Sequence, residues 1–338
     1  MKFSKEKKAD IRNYILEKVA RNDDSISRSV SENYGINQNT AHTYINELID
    51  EGVIRKIKRG QYELIPAEYE YQFDRGKGDF DHDMNAYTNY ILPHLSAVEK
   101  NVEQIWAYVF GEMTNNVMDH SEAKNVKIRV IQDYMKTRVL LIDDGVGIFR
   151  KIKEYFNFDS LDDAICELFK GKLTTDSSRH SGEGIFFSSR LMDEFLIISD
   201  GKVFASDRYD DAMISDLKNS SFKGTCVLMG LSNFSKKTPK EIFEDFTDAD
   251  YSFTKTKIPV RNIFDGSPVS RSQAKRLAYR LEKFTEVVVD FQDVEWIGQG
   301  FAHQLFVVFV NANPAIKLIP INMNEDVTKM YKHVINTI

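Results

Sequence analysis

Apolar positions recur at helical spacing over residues 7–21, where Ile11, Ile15, Leu16 and Val19 share one face. A second short helix is predicted from Ser25 to Tyr34. Gly35-Ile36-Asn37 then predicts a tight turn, with Asn37 able to cap a third helix whose Ala41, Ile45 and Leu48 face inward. Gly52 ends that helix, and residues 53–65 read as two strands around Arg59-Gly60. Residues 67–84 are polar, with Tyr69, Tyr71 and Phe73 scattered among them, and read as a linker that docks on a neighbour. Residues 85–108 predict one helix leading into a further helical stretch, Gly111 to His120. Val139 to Ile142 is a short apolar strand, residues 161–170 an amphipathic helix, and residues 171–181 small and polar. A helix opens near Gly182-Glu183-Gly184-Ile185 and runs on through Arg190. Gly224-Thr225 enters a buried strand. From about residue 251 the pattern alternates: strand 257–263, helix 270–284, strand 286–291, apolar helix 300–310, strand 316–321, helix 325–335. Such alternation predicts a layered α/β domain.

At 338 residues the chain is long enough for two or three domains. Its 42% hydrophobic and 28% charged content is ordinary for a soluble globular protein. A net charge of −6 argues against a chain that coats nucleic acid along its whole length. The balance is uneven: residues 1–65 hold 12 Lys and Arg against 10 Asp and Glu, a net of +2, which leaves −8 for the remainder. Cys166 and Cys226 offer no metal spacing and read as buried thiols in a reducing cytosol. The N-terminus lacks the apolar core of a signal peptide. The greasiest run, residues 301–310, is too short to span a membrane. A cytoplasmic location without membrane attachment is the expectation.

Candidate chemistry concentrates in four places. In the helix at 111–120, Glu112, Asn116 and His120 project from one face, with Asp119 beside them. A carboxylate, a carboxamide and an imidazole so placed can hold a hydrated Mg²⁺ and orient a water, although a solvated polar face has the same pattern. Asp143 ends an apolar strand and is followed by Gly145 and Gly147, which let backbone pass close to a flat ligand. Gly182 and Gly184 open a helix whose N-terminal N–H groups favour an anion. Thr225 enters the last of these strands.

In this order and spacing the pieces resemble the Bergerat fold of the GHKL ATPases, which include gyrase, heat-shock chaperones, histidine kinases, mismatch-repair ATPases and anti-sigma-factor kinases. The resemblance covers about residues 85–247 and implies an α/β sandwich with ATP and Mg²⁺ as cofactors. It implies Glu112 as the water-activating base, Asn116 as the Mg²⁺ ligand and Asp143 as acceptor of the adenine amine. Asp119 and His120 complete the helix-borne box. Gly145 and Gly147 match the next box, Gly182 and Gly184 the phosphate loop, and Thr225 the threonine near the adenine. Residues 171–181 match the ATP lid, from which Lys172, Arg179 and His180 can reach phosphates. The loop departs from the fuller glycine pattern because Ser181 and Glu183 flank Gly182. An acid there is unfavourable to a triphosphate unless it points away. His94, a lone histidine after Pro93, lacks the helical hairpin that carries a histidine kinase phosphoacceptor.

Residues 1–66 resemble a winged helix-turn-helix. The resemblance implies DNA as partner, with Gln38, Asn39, His42 and Thr43 on the helix that enters the major groove. Arg55, Lys56, Lys58 and Arg59 on the wing suit phosphates. A winged helix used for protein contact is the alternative. Residues 251–338, with Val287-Val288-Val289-Asp290-Phe291 followed by Val294 to Phe301, look like the STAS domain of anti-sigma antagonists. In that family a phosphorylatable serine precedes the glycine, whereas here Gly298-Gln299 stands in its place. This implies a STAS-like binding module with a protein partner and no phosphorylation at the usual position. The combined reading is an α/β multidomain regulator in which Mg-ATP binding and slow hydrolysis switch the arrangement of DNA reader and STAS-like module; a homodimer is one assembly it allows. An anti-sigma-factor-type protein serine kinase, or an ATP-dependent protein–protein switch without DNA binding, are the alternatives.

Overall fold

The computed structural model describes residues 3–78, 80, 83–95, 98–173, 182–206, 223–264 and 266–336. It is a mixed α/β multidomain structure built on three main hydrophobic clusters.

The first cluster joins α1 (Lys5–Ala20), α2 (Ile26–Tyr34) and α3 (Gln38–Asp50) to an antiparallel pair, β1 (Ile54–Lys58) and β2 (Gln61–Leu64). Ile11, Ile15, Val30, Ala41, Ile45 and Leu48 fill it, so the helical spacing of the sequence becomes one shared core. Asn37 caps α3 by accepting from the Asn39 amide at 2.9 Å.

The stretch expected to be a linker is instead structured. Residues Ala67–Asp74 form β3, paired antiparallel with β4 (Asn125–Gln132) over eight positions. The reason lies in the local pattern. Tyr69, Tyr71 and Phe73 alternate with Glu68, Glu70 and Gln72, which is the period of a strand and not of a coil. The first unit therefore reaches the central sheet across Ile65 and Pro66 alone.

That sheet has six strands in the order β3-β4-β5-β8-β6-β7, with β5 (Lys136–Asp143), β6 (Glu194–Ser199), β7 (Lys202–Ala205) and β8 (Thr225–Ser232), every neighbour antiparallel. Side chains of a strand alternate between faces. Val139 and Leu141 of β5 and Val227, Met229 and Leu231 of β8 thus enter the main core, while Leu140, Cys226 and Leu228 join a smaller cluster on the opposite face. The helix expected over 85–108 is broken at Pro93, which cannot donate an amide. It becomes α4 (Asp83–Tyr90), a tight turn at Leu92–His94, and then α5 (Lys100–His120). Helices α6 (Ile148–Phe156), α7 (Leu161–Lys170) and α8 (Gly184–Leu191) complete the layer.

After α9 (Pro239–Phe246), a three-stranded parallel sheet follows in the order β11-β10-β9: β9 (Lys255–Pro259), β10 (Glu286–Asp290) and β11 (Lys317–Ile321). Its helices are α10 (Arg271–Ala278), α11 (Gln299–His303, continued by a wider π turn over Gln304–Phe309) and α12 (Glu325–Ile335). Phe186 and Phe187 of α8 are buried in the cluster of this last domain, so the central and C-terminal units share a core. Among the described residues no helix is long and apolar enough to cross a membrane. Both cysteines are buried free thiols.

Candidate functional site

The pleat sets the site. Asp143 ends β5 and Thr225 begins β8; they are register partners, and both fall on the helix-facing side with Leu141 and Val227. Beyond them the chain turns sharply. Val146 donates to the Ser121 carbonyl at 2.9 Å, which ties the end of β5 to the end of α5. A Cβ on Gly145 would lie 2.0 Å from that same carbonyl oxygen, so only glycine allows the approach.

These interactions close a pocket of ≈ 220 Å³ bordered by α5, the end of β5, α6, the start of α8 and β8. Glu112, Asn116 and His120 line it from α5, Asp143, Gly147 and Thr225 from the strand ends, and Gly182 and Gly184 from the opposite wall. Residues far apart in sequence, from Glu112 to Thr225, thus meet in one cavity.

Asp143 is only 4% exposed. Its carboxylate accepts from the Gly145 amide at 2.8 Å. Burial nevertheless dominates and pushes its pKa up to about 6, against the lowering effect of the Gly145 and Thr225 amides. It remains ionised at neutral pH and can accept a hydrogen bond inside the pocket. Thr225 Oγ1 accepts from the Ile148 amide at 3.1 Å, so the hydroxyl also starts α6. Asp144 serves the turn instead. Its carboxylate accepts from the Lys124 and Asn125 amides at 2.8 and 2.9 Å and fixes the neighbouring backbone.

Opposite them, the Glu112 carboxylate lies against the N-terminus of α8. A Cβ on Gly184 would fall 2.0 Å from Glu112 Oε2, so glycine is what lets the acid touch the backbone there. The Tyr108 phenol, one turn earlier, is raised well above its usual range, chiefly by burial and then by the carboxylates of Glu112 and Glu183. Glu183 itself is not among the pocket-lining residues, although Gly182 and Gly184 on either side are.

Three expected residues lie elsewhere. Asp119 is exposed on α5 and outside the pocket lining, because the lining face of that helix is centred nearer Met113, Asn116 and His120 and position 119 falls beyond its edge. Gly145 shapes the turn behind the wall. Lys172 is directed to the C-terminal domain: its Nζ donates to the Lys283 carbonyl at 2.8 Å and stands over the Phe253 and Phe284 rings. Arg179 and His180, also expected to reach phosphates, lie outside the described residues. Sequence reasoning missed Lys151. This α6 lysine lines the pocket, donates to the His120 carbonyl at 2.6 Å and pairs with the Glu122 carboxylate at 3.0 Å. Nothing in the local pattern announced it, because its acceptor, the His120 carbonyl, lies 31 residues away in the chain. His94 sits in an aromatic cluster, 2.9 Å from the Tyr71 hydroxyl and with its ring 4.0 Å from that of Tyr69; burial lowers its pKa.

In the first unit, Gln38, Asn39, His42 and Thr43 are exposed on α3, and Arg55, Lys56, Lys58 and Arg59 are exposed on the β1–β2 hairpin. Thr43 Oγ1 donates to the Asn39 carbonyl, and Arg55 pairs with Glu63 across the hairpin. Tyr134, in the β4–β5 turn, packs against this unit's core and also meets the Phe234 ring at 5.2 Å.

In the C-terminal domain β10 leads to Gly298, which caps α11. A Cβ on Gly298 would lie 2.5 Å from the Val269 carbonyl oxygen, so a serine has no room there. Residues 273–328 match the family described as a STAS-like domain of unknown function (DUF4325). The C-terminal part of the chain is STAS-like. No curated protein matches the chain.

Proposed function

We propose that the chain is an ATP-binding regulatory protein: a Bergerat-type nucleotide domain at the centre, a winged-helix DNA reader before it and the STAS-like module after it. The observation that carries the reading is the single pocket in which a buried carboxylate, a facing threonine, an acid–amide–imidazole helix face and a glycine-flanked helix N-terminus converge.

Each group has a role that suits its chemistry. Asp143 is ionised at neutral pH and accepts from the exocyclic amine of adenine; guanine presents a carbonyl at that position and is disfavoured. The N-terminal amides of α8 and the Lys151 ammonium provide positive ends for phosphate oxygens. Asn116, a carboxamide lining the pocket, is the residue that would hold Mg²⁺. Among the described residues no group of three or more His, Cys, Asp or Glu gathers into a metal cage. Bound Mg²⁺ supplies charge neutralisation on the phosphates. Glu112, a pocket-lining carboxylate, is the group that would take a proton from water in slow hydrolysis.

A specific feature favours a second reading of the first unit. Arg55 is already paired with Glu63, and Ile57 on the same strand is 58% exposed. A hairpin with an apolar side chain and one spent cation also suits protein contact, which would leave an ATP-dependent signalling switch without DNA.

The test is saturation binding of a fluorescent ATP analogue to full-length protein with Mg²⁺, followed by phosphate release on the same sample. Saturable binding displaced by ATP supports the reading, and an absence of binding at millimolar nucleotide removes it.

A further inference from the structure

Two stretches border the pocket on its α8 side, residues 171–173 and 182–184, and they meet where Leu173 donates to the Gly182 carbonyl at 3.1 Å. Both are fastened to the STAS-like domain.

The first stretch leaves α7 at Lys170, whose side chain is 1% exposed. Its Nζ donates to the Glu167 carboxylate and to the Arg276 and Tyr279 carbonyls, the last two at 3.0 and 2.8 Å. The Lys170 carbonyl accepts from Thr256 Oγ1 of β9 at 2.8 Å. Two residues further, the Lys172 carbonyl accepts from Arg280 Nη2 at 3.1 Å, and Arg280 also pairs with Glu167 at 3.6 Å. A Cβ on Gly171 would lie 2.7 Å from the Phe253 ring, so the backbone itself presses on this domain. Lys172 and Arg280 face one another with φ of 56° and 62°. Side-chain-bearing residues keep that left-handed conformation where their surroundings fix it.

The second stretch runs into α8. Phe186 and Phe187 lie in the C-terminal cluster, and Arg190 Nη2 donates to the Lys257 carbonyl of β9 at 2.7 Å. The wall that carries Gly182 and Gly184 is thus supported by β9 from behind.

We propose that the STAS-like domain regulates the nucleotide site directly, by holding residues 171–173 and α8 in the pocket-forming position, with Arg280 as the positioning residue. The inference rests on the ATP reading given above. Coupling of this kind is reciprocal. A partner that shifts the STAS-like domain lowers nucleotide affinity, and nucleotide in the pocket tightens the domain interface. Such couplings typically amount to about 5- to 150-fold in affinity.

The experiment uses the full chain. Mg-ATP affinity is measured by calorimetry for wild type, Arg280→Ala, Arg280→Lys and Thr256→Val. Amide hydrogen exchange over residues 167–173 and 254–287 is followed with and without nucleotide. Arg280→Ala is expected to weaken ATP roughly tenfold, Arg280→Lys to recover part of the loss, and Thr256→Val to weaken it less; couplings of this size lie within the usual range. In wild type, nucleotide slows exchange across the domain interface. Wild-type binding with unchanged affinity in every folded variant, and exchange at the interface indifferent to nucleotide, overturns the inference alone. Failure of the wild type to bind overturns the ATP reading and this inference with it. Should Arg280→Ala not fold, Thr256→Val and the wild-type exchange response decide the matter.

Discussion

Asp143 and Thr225 face each other as the first register pair at one end of β5 and β8, and the Thr225 hydroxyl accepts the Ile148 amide that begins α6. A strand pairing, a helix start and a buried acid therefore meet at one point. Anything that moves Thr225 moves the wall of the pocket on which Gly147 and Lys151 lie.

Burial of Asp143 works against stability. Its folded pKa of about 6 exceeds the ordinary 3.8, so between about pH 4 and 6 the native state keeps a proton that the unfolded chain has lost. Stability from this group falls as pH rises through that window, and the penalty is complete above it. Asp143→Asn removes the charge and is expected to stabilise the unliganded protein by about 3 kcal/mol at pH 7.5 and roughly half that at pH 5. Urea unfolding at the two pH values measures this. An equal effect at both would show that the carboxylate is hydrated and not buried.

Glu112 is expected to matter for turnover and not for affinity. Loss of general-base help costs about 10²–10⁴-fold in rate. Glu112→Ala should lose phosphate release while still retaining nucleotide, and Asn116→Ala should instead weaken the Mg²⁺-dependent part of binding. Equal turnover in wild type and Glu112→Ala would return this helix face to a solvated one.

Lys151→Met tests the cation that the sequence did not reveal. A charge-assisted hydrogen bond is worth about 1.5–3 kcal/mol, or roughly 10- to 100-fold. ATP affinity should fall by that order while adenosine affinity holds. A parallel loss for adenosine would mean that Lys151 only props the pocket through the His120 carbonyl and the Glu122 carboxylate.

Much of this was legible beforehand, for local reasons. α7 follows its expected bounds because Ser160 and Asp163 form a capping box that fixes its start. α12 keeps its bounds as well, capped by Asn324. The polar face of α5 was readable from spacing alone. What escaped was set by distant partners or by competing patterns. The alternation in β3 was short and rich in acids, so it read as coil until β4 paired with it. Lys172 looked like a phosphate ligand because nothing nearby in sequence announces Lys283 as its acceptor. Phe186 and Phe187 fall in the helix expected to run through Arg190, yet the core they enter belongs to the next domain.

The β1–β2 hairpin makes a separate prediction under the DNA-reader proposal. Neutralising Lys56, Lys58 and Arg59 should weaken DNA binding for all sequences alike and flatten its salt dependence by up to about 0.9 for each phosphate no longer neutralised. Arg55 should contribute less, since Glu63 already holds it. Gln38→Ala or Asn39→Ala should relax base preference with little change in slope. Anisotropy titrations of full-length protein on its own promoter region and on random DNA measure both. No preference and no salt slope in either would assign residues 1–66 to protein contact.

The most direct test of the central claim is calorimetric titration of the full-length protein with ATP and with GTP, each in the presence of Mg²⁺, beside the Asp143→Asn variant. The account predicts saturable binding of ATP, clearly weaker binding of GTP, and a discrimination that shrinks in Asp143→Asn. Equal affinities for the two nucleotides in wild type, or no binding of either at millimolar concentration, would contradict it.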